Sequence, residues 1–345
     1  MRSTRAAVYH GPGDIRLEEL PLPDLGPGDV LVRVDACGIC GSDVMDWYMA
    51  PRAPIVLGHE VAATVLATGP GASLHPGQRA FVHHHVPCMT CHDCLRGRET
   101  LCLRFRQTRL HPGGLAEHLV VPAENARADA LPLPDDLDDG AATFVEPLAC
   151  AVRGQRKAHL RPGDSVAVVG AGVNGILNAR LARASHAGAV VALDVNEDRL
   201  RAARELGLTA VHAEDAAADA LRDATGGRLA DVVIVCAGAA AAVELGLRLV
   251  ARGGTLQLFA PLHPGEEMRL SGPDPFFAEV EVQHTYSAAP RDTRTALHLL
   301  ATGHVQVSDL VTHRLPLERT AEAVALVKGG GKALKVVVEP HAAKS

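Results

Sequence analysis

Short apolar runs alternate with helix-like stretches through much of the second half of the chain. The apolar runs lie at 165–170, 190–194, 210–213, 231–236, 255–259 and 280–287, and the helix-like stretches between and after them lie at 174–185, 196–206, 240–251 and 293–301. Strands that are buried on both faces read as continuous apolar runs when helices cover a parallel sheet. The pattern therefore predicts an α/β domain with a doubly wound parallel sheet.

The first 150 residues have a different sequence pattern. The segments 14–18 and 30–34 alternate in the two-residue period of half-buried strands, and the segments 11–14 and 26–29 are Gly- and Pro-containing turns. A mostly β domain is expected here. The apolar run 334–339 at the end of the chain is too small to fold alone, so we expect it to rejoin this first domain.

Bulk composition narrows the class of protein. The chain has 345 residues, 47% of them hydrophobic, which suffices for two packed domains. A net charge of −6 and 3% aromatic residues argue against a nucleic-acid partner. The sequence contains neither an apolar stretch of about 18 residues nor the apolar core of a signal peptide, so we expect a cytoplasmic protein without a membrane partner.

A glycine motif follows the first apolar run of the α/β domain. Gly170, Gly172 and Gly175 match G-x-G-x-x-G, with Val173 and Asn174 between the last two glycines, and the motif stands directly between a predicted strand and a predicted helix. Such a turn brings backbone amides and the positive end of a helix to a pyrophosphate. A strand–turn–helix without a ligand is the alternative, but the context favours a dinucleotide site.

The next predicted strand ends in an acidic residue. Asp194 lies nineteen residues after Gly175, where a carboxylate accepts hydrogen bonds from the adenosine ribose and repels a 2′-phosphate. This favours NAD over NADP. Asp194 could instead cap the following helix, and Arg199 could either cover the adenine or be solvated.

Four cysteines are crowded into fifteen residues. Cys88, Cys91, Cys94 and Cys102 have the spacing C-x2-C-x2-C-x7-C. Four thiolates this close can enclose one tetrahedral zinc ion, and a site filled by protein ligands is structural. An iron–sulfur cluster is the alternative, although the spacing differs from the common ferredoxin patterns. We therefore predict a structural zinc lobe at about 86–104.

Further potential metal ligands are dispersed along the first domain. They are Cys40, His59, Glu60 and Glu146. Catalytic zinc needs three protein ligands and an open position. Three of these residues also have an ordinary structural explanation: packing for Cys40, burial for His59 and helix capping for Glu146.

The combined order of these motifs resembles the zinc-containing medium-chain dehydrogenases, most of all their sorbitol and threonine dehydrogenase branch. The motifs are 38–43 with Cys40, 58–60 with His59, the four-cysteine lobe, 146–148 with Glu146 and the later glycine motif. The resemblance implies a GroES-like, mostly β catalytic domain at 1–153, completed by 291–345, and a Rossmann domain at 154–290. It implies two zinc ions per chain, NAD, an alcohol substrate and a homodimer or homotetramer.

The resemblance also implies roles for individual residues. Cys40 and His59 match ligands of the catalytic zinc, and Glu146 matches a third ligand that binds directly or through water. Glu60 matches a residue beside the metal that is able to exchange onto it, and Cys150 is the rival third ligand. Asp43 matches the carboxylate that orients the metal-bound imidazole. Ser42 matches the hydroxyl that passes the alcohol proton outward.

The chain departs from this branch at Met45, where several members have a histidine that continues the proton relay. The implied activity is oxidation of a secondary alcohol of polyol, sugar or cyclitol type, with the substrate itself left open. A zinc-independent quinone or enone reductase and a catalytically silent protein of this fold are the alternatives. The run at 83–85 of three consecutive histidines is interpreted as part of a strand, with a contribution of one of them to the pocket left open.

Overall fold

The computed structural model describes residues 2–214, 216–270 and 274–342. The chain divides into two compact units, Met1–Ala149 with Ala288–Ser345, and Cys150–Ser287. No helix in the described ranges has the length and hydrophobicity that a membrane crossing requires.

The strands, in chain order, are β1 Ser3–Gly11, β2 Asp14–Pro21, β3 Val30–Gly38, β4 Ile55–Val56, β5 Glu60–Thr68, β6 Arg79–Val82, β7 His118–Val121, β8 Ala130–Pro132, β9 Ser165–Val169, β10 Ala189–Asp194, β11 Thr209–His212, β12 Ala230–Val235, β13 Val250–Leu258, β14 Glu281–His284, β15 Val311–Leu315 and β16 Lys335–Val338. The α-helices are α1 Asp46–Met49, α2 His92–Leu95, α3 Ala123–Asp129, α4 Asp139–Ala142, α5 Val145–Lys157, α6 Val173–Ala184, α7 Glu197–Glu205, α8 Ala217–Thr225, α9 Ala240–Leu249, α10 Asp274–Phe277, α11 Pro290–Ala301 and α12 Thr320–Gly329. Short 3-10 helices lie at Gly41–Val44, Ala50–Arg52, Glu99–Leu101, Ser308–Leu310 and Leu317–Arg319.

The first unit is built on β3. This strand pairs antiparallel with β5, β7 and β16, within a sheet whose order is β15-β16-β3-β5-β6-β8. A smaller antiparallel sheet has the order β2-β1-β4. Valines and alanines of β1, β3 and β5 form one continuous core with β16. The strand β16, which is last in the sequence, thus lies directly beside β3 in this sheet.

The second unit is a parallel sheet of order β11-β10-β9-β12-β13-β14. This order reverses between β9 and β12, which makes the carboxyl ends of these two strands the ligand-binding position of a doubly wound fold. Strand β9 is buried along its whole length, as the apolar run in the sequence predicts. The predicted fold class, a mostly β domain with a doubly wound parallel sheet, is confirmed.

The observed elements lie within a few residues of the predicted ones. The main differences are at β13, which begins at Val250, and at β14, which is shorter than the predicted run 280–287. The tail run begins to pair at Lys335, and Val337 and Val338 lie opposite Gly38 and Cys37 of β3.

Candidate active site and cofactor site

A cysteine, a histidine and a glutamate come together where β3 ends and β5 begins. Gly38 pairs with Glu60 across the two strands, which sets Cys40 beyond one strand end and His59 before the other. One ligand atom from each of Cys40, His59 and Glu60 lies within 4.8 Å of the others. Two chain segments far apart in sequence are therefore joined by strand pairing into one cluster of metal-ligand type.

Asp43 contacts both chain segments of this cluster. Its carboxylate accepts the backbone N–H of Cys40 at 3.0 Å and that of Gly58 at 3.4 Å, and its Oδ1 lies 3.5 Å from Nδ1 of His59. Burial raises the pKa of Asp43, but the charge of His59 and the hydrogen bonds outweigh it, so the pKa is lowered. Asp43 is thus a buried carboxylate in contact with the imidazole of His59.

Glu60 has a partner that the sequence analysis did not predict. Lys335, the first residue of β16, donates from Nζ to Oε2 of Glu60, and both side chains are almost completely buried. A Cβ atom at Gly38 would collide with this carboxylate. The pKa of Lys335 is raised, because the nearby Glu60 and Cys40 outweigh the lowering effect of burial. Glu60 is therefore a member of the cluster and is also paired with Lys335.

Glu146 is buried near the start of α5, with 4% of its surface exposed. Its charge raises the pKa values of both Glu60 and Lys335, so it belongs to the same electrostatic environment. Ser42 lies in the 3-10 helix Gly41–Val44 that follows Cys40, and its side chain is partly buried. Cys150 belongs to the second unit.

The chemistry of this donor set fits a zinc ion. The cluster offers a thiol, an imidazole and a carboxylate, which are the ligand types of zinc sites. Burial lowers the pKa of His59, but Asp43 and Cys40 raise it well above its usual value. An environment that favours a proton on a buried imidazole favours any cation at that position, and zinc would replace the proton.

The four-cysteine lobe forms a second cluster. The sulfur of Cys94 lies 3.5 Å from that of Cys91 and 4.0 Å from that of Cys88, and Cys102 lies 3.6 Å from Cys88. Hydrogen bonds from Thr90, and then from the amide of Cys91, contribute most to lowering the pKa of Cys88 to about 6. Thiolate is the form that binds zinc, so these four residues fit a fully protein-ligated ion.

In the second unit the glycine motif forms the turn between β9 and α6. Gly170 has φ +103°, a conformation that favours glycine, and a Cβ atom at Gly175 would collide with the carbonyl oxygen of Gly170. A Cβ atom at Gly172 would meet nothing within 4 Å, so the backbone there is open to a ligand. Val173 and Asn174 begin α6, whose first amides face this opening. The turn fits a pyrophosphate group.

Asp194 ends β10 beside this turn. Its Oδ2 accepts the backbone N–H of Ala171 at 2.7 Å, and its Oδ1 accepts that of Asn196 at 2.9 Å. Asn196, not Asp194, caps α7. Arg199 lies 3.6 Å from Asp194 and is about one third exposed. The carboxylate is held in place with lone pairs remaining, which fits the recognition of ribose hydroxyls.

The histidine run at 83–85 does not belong to a strand, because β6 ends at Val82. His83 Nδ1 lies 2.8 Å from Oδ2 of Asp129, and both side chains are fully buried. The ring of His84 packs against that of His59, with 4.7 Å between centroids. The sequence analysis predicted neither the partner of His83 nor the position of His84 next to the metal-ligand cluster.

Comparison with known proteins gives consistent matches over nearly the whole chain. The Alcohol dehydrogenase GroES-like domain family matches residues 26–135, and the Zinc-binding dehydrogenase family matches residues 172–302. Sorbitol dehydrogenase of Rattus norvegicus is 34% identical, over 96% of this chain and 94% of that protein. Probable D-xylulose reductase A of Aspergillus clavatus is 32% identical, over 96% and 95%.

A solved structure of similar sequence shares the fold. The NADP-bound structure of a zinc-binding dehydrogenase from Sinorhizobium meliloti 1021 is 31% identical, covers 99% of this chain and 100% of its own, and has a TM-score of 0.86. The mostly β unit with its metal-ligand clusters and the doubly wound unit with its glycine turn define a two-domain dehydrogenase. The chain belongs to the zinc-containing medium-chain dehydrogenase/reductase family, as an oxidoreductase that acts on the CH–OH group of alcohols.

Proposed function

We propose that this protein oxidises a secondary alcohol of polyol, sugar or cyclitol type to the ketone and transfers the hydride to NAD. The observation that carries the proposal is that ligand atoms of Cys40, His59 and Glu60 lie within 4.8 Å of one another. They lie in a unit that matches the alcohol dehydrogenase family. Membership of a zinc-binding family disfavours the zinc-independent reductase. The polyol substrate class follows from the similarity to sorbitol dehydrogenase and xylulose reductase.

We assign the catalytic metal to Cys40, His59 and Glu146, with Glu60 beside it. Glu60 is the carboxylate within 4.8 Å of Cys40 and His59, and it is paired with Lys335. The choice of Glu146 as the third ligand rests on the resemblance to the sorbitol dehydrogenase branch and on its buried position in the same electrostatic environment. When bound, zinc supplies Lewis acidity, which lowers the pKa of a substrate hydroxyl. Asp43 orients His59 and keeps the imidazole basic. Ser42, two residues after Cys40, is the hydroxyl that accepts the alcohol proton and passes it outward.

The cofactor assignment rests on the turn between β9 and α6. Gly170, Gly172 and Gly175, with Val173 and Asn174, would hold the pyrophosphate on backbone amides. The carboxylate of Asp194 would bind the ribose hydroxyls and repel a 2′-phosphate, which supports NAD over NADP. Arg199 would lie at the adenine side of the same position, paired with Asp194.

The domain roles follow from the location of these residues. We propose that 1–153 with 291–345 is the catalytic domain, which also holds a structural zinc ion on Cys88, Cys91, Cys94 and Cys102, and that 154–290 is the NAD domain. We further propose a homodimer or homotetramer located in the cytoplasm, where a reducing environment would keep the zinc-binding cysteines out of disulfide bonds.

Metal analysis and a substrate screen test the function. We expect close to two zinc ions per chain, one for each ligand cluster. We expect a chelator to remove one ion readily and the activity with it. Polyols, sugars and simple alcohols should then be compared by the rate of NADH formation. A single tightly bound zinc ion, or no alcohol oxidised by zinc-loaded protein with either NAD or NADP, would contradict the proposal.

A further inference from the structure

Three consecutive histidines follow β6, and the outer two have structural partners. His83 is bound to Asp129, whose other oxygen accepts the hydroxyl of Thr293 on α11 at 2.7 Å. His85 donates from Nδ1 to the carbonyl oxygen of Thr108 at 2.8 Å. These contacts fix both ends of the run to neighbouring segments of the first unit.

The middle histidine is fixed by its backbone and by ring packing. The side-chain amide of Asn125 donates to the carbonyl oxygens of His83 and His84, at 2.8 and 3.0 Å. The ring of His84 contacts those of His59 and His85 in tilted arrangements, with centroid distances of 4.7 and 4.0 Å. Because His59 belongs to the metal-ligand cluster, the ring of His84 is held directly beside that cluster.

The two ring nitrogens of His84 have different surroundings. Nδ1 is buried and has no hydrogen-bond partner among the described residues, whereas Nε2 lacks a partner but is not enclosed. A neutral imidazole has one donor and one acceptor nitrogen. An enclosed N–H without an acceptor is rarer in proteins than an enclosed acceptor without a donor, which favours the proton on Nε2.

We propose that Nε2 of His84 donates a hydrogen bond to a second hydroxyl group of the substrate, next to the carbon that is oxidised. His84 is then a specificity-determining residue that selects diols and polyols over simple alcohols. The proposal rests on the proposed function, because it requires the alcohol to bind at the cluster of Cys40 and His59.

A pair of substrates that differ by one hydroxyl tests this role. The pair 2,3-butanediol and 2-butanol shares one carbon skeleton. His84→Phe keeps an aromatic ring but removes the donor, whereas His84→Gln keeps an N–H donor. We expect H84F to lower kcat/KM for the diol about tenfold, as the loss of one hydrogen bond does, and to leave kcat/KM for 2-butanol within about twofold of wild type. H84Q should retain most of the preference.

Two controls separate recognition from structure. His85→Gln changes the neighbouring ring and should leave the diol preference unaltered. Calorimetric binding of the diol to enzyme saturated with NADH, where no hydride can be accepted, should weaken in H84F by the same factor as kcat/KM. The zinc content of all variants should equal that of the wild type.

The possible failures are distinct. An equal loss for both alcohols in H84F, a wild-type preference for 2-butanol, or unchanged diol binding in H84F would overturn the role of His84. Failure of the zinc-loaded wild type to oxidise any alcohol of the wider screen would instead contradict the proposed function.

Discussion

Lys335 and Glu60 form an ion pair in the interior of the first unit, with side-chain exposures of 2% and 1%. The lysine comes from β16 at the end of the chain and the glutamate from β5, next to His59. Removing two charges from water is costly, and their mutual attraction offsets this cost only while both are present. The last strand therefore determines the charge balance beside the metal-ligand cluster.

Replacing Lys335 by methionine would leave Glu60 buried without its partner. We expect K335M to reduce the free energy of unfolding by about 3 kcal/mol, as breaking a buried ion pair does. The double variant K335M/E60Q, which removes both charges, should lose clearly less. Urea unfolding of the wild type, the two single variants and the double variant measures the coupling. Equal stability of K335M and the double variant would show that the pair contributes nothing specific.

The sequence analysis predicted that the segment 334–339 rejoins the first domain. It did not predict that this segment places Lys335 beside Glu60. The run 334–339 contains one lysine and one glutamate beside four apolar residues, and in isolation such a lysine is expected to be solvated. Its burial depends on the pairing of β16 with β3 and on the glycine at position 38, which leaves room for the two side chains. Both conditions depend on tertiary contacts between positions about 300 residues apart in the sequence.

The four-cysteine lobe could be predicted from spacing alone because its ligands are neighbours in sequence. Replacing Cys102 by serine should remove one tightly held zinc ion per chain. The segment around α2 should then become sensitive to trypsin at Arg96 and Arg98, since a fully ligated zinc ion contributes directly to the folding of its lobe. Zinc analysis and limited proteolysis measure both effects. Cys236→Ser, outside the lobe, should change neither; proteolysis of C102S at the wild-type rate would argue against a structural ion.

The cluster of Cys40, His59 and Glu60 could not be predicted from spacing alone. Nothing in the separate segments around Cys40 and His59 shows that they meet, and only the resemblance to a family joined them in the sequence analysis. In the structure the join is the antiparallel register of β3 and β5, in which Gly38 lies opposite Glu60. Strand register of this kind spans more than twenty residues and cannot be derived from local pattern.

The histidine run shows a local interpretation that was wrong. The run 83–85 was interpreted as part of a strand, yet β6 ends at Val82. The carbonyl oxygens of His83 and His84, which a neighbouring strand would otherwise bind, accept the side-chain amide of Asn125 instead. A distant side chain thus replaces the sheet partner, and no feature of the run itself indicates this.

Asp194 is expected to set the cofactor preference. In Asp194→Asn the shape is kept while the charge that repels a 2′-phosphate is lost, and Arg199 is released from its ion pair at 3.6 Å. We expect the ratio of kcat/KM for NADP to that for NAD to rise about tenfold, the effect of one charge-assisted hydrogen bond. Steady-state kinetics with both cofactors measures it. Adding Arg199→Ala should abolish the gain; an unchanged ratio in D194N would remove Asp194 from the cofactor site.

The acid stability of the first unit should depend on His85. Burial is the main cause that lowers the pKa of His85 to about 4 from its usual 6.5. The unfolded chain therefore binds more protons between pH 6.5 and 4, so the folded state loses stability as pH falls through this range. The loss attributable to His85 is at most about 3 kcal/mol.

His85→Gln removes the titration but keeps an N–H donor for the carbonyl oxygen of Thr108. Between pH 7 and 4 we expect the wild type to lose more stability than H85Q, with little difference between the two pH dependences above pH 7. Urea unfolding followed by the fluorescence of Trp47, the one tryptophan of the sequence, reports on the first unit. Parallel losses in both proteins would mean that His85 takes up protons equally in the folded and unfolded chains, and burial would then not control its charge.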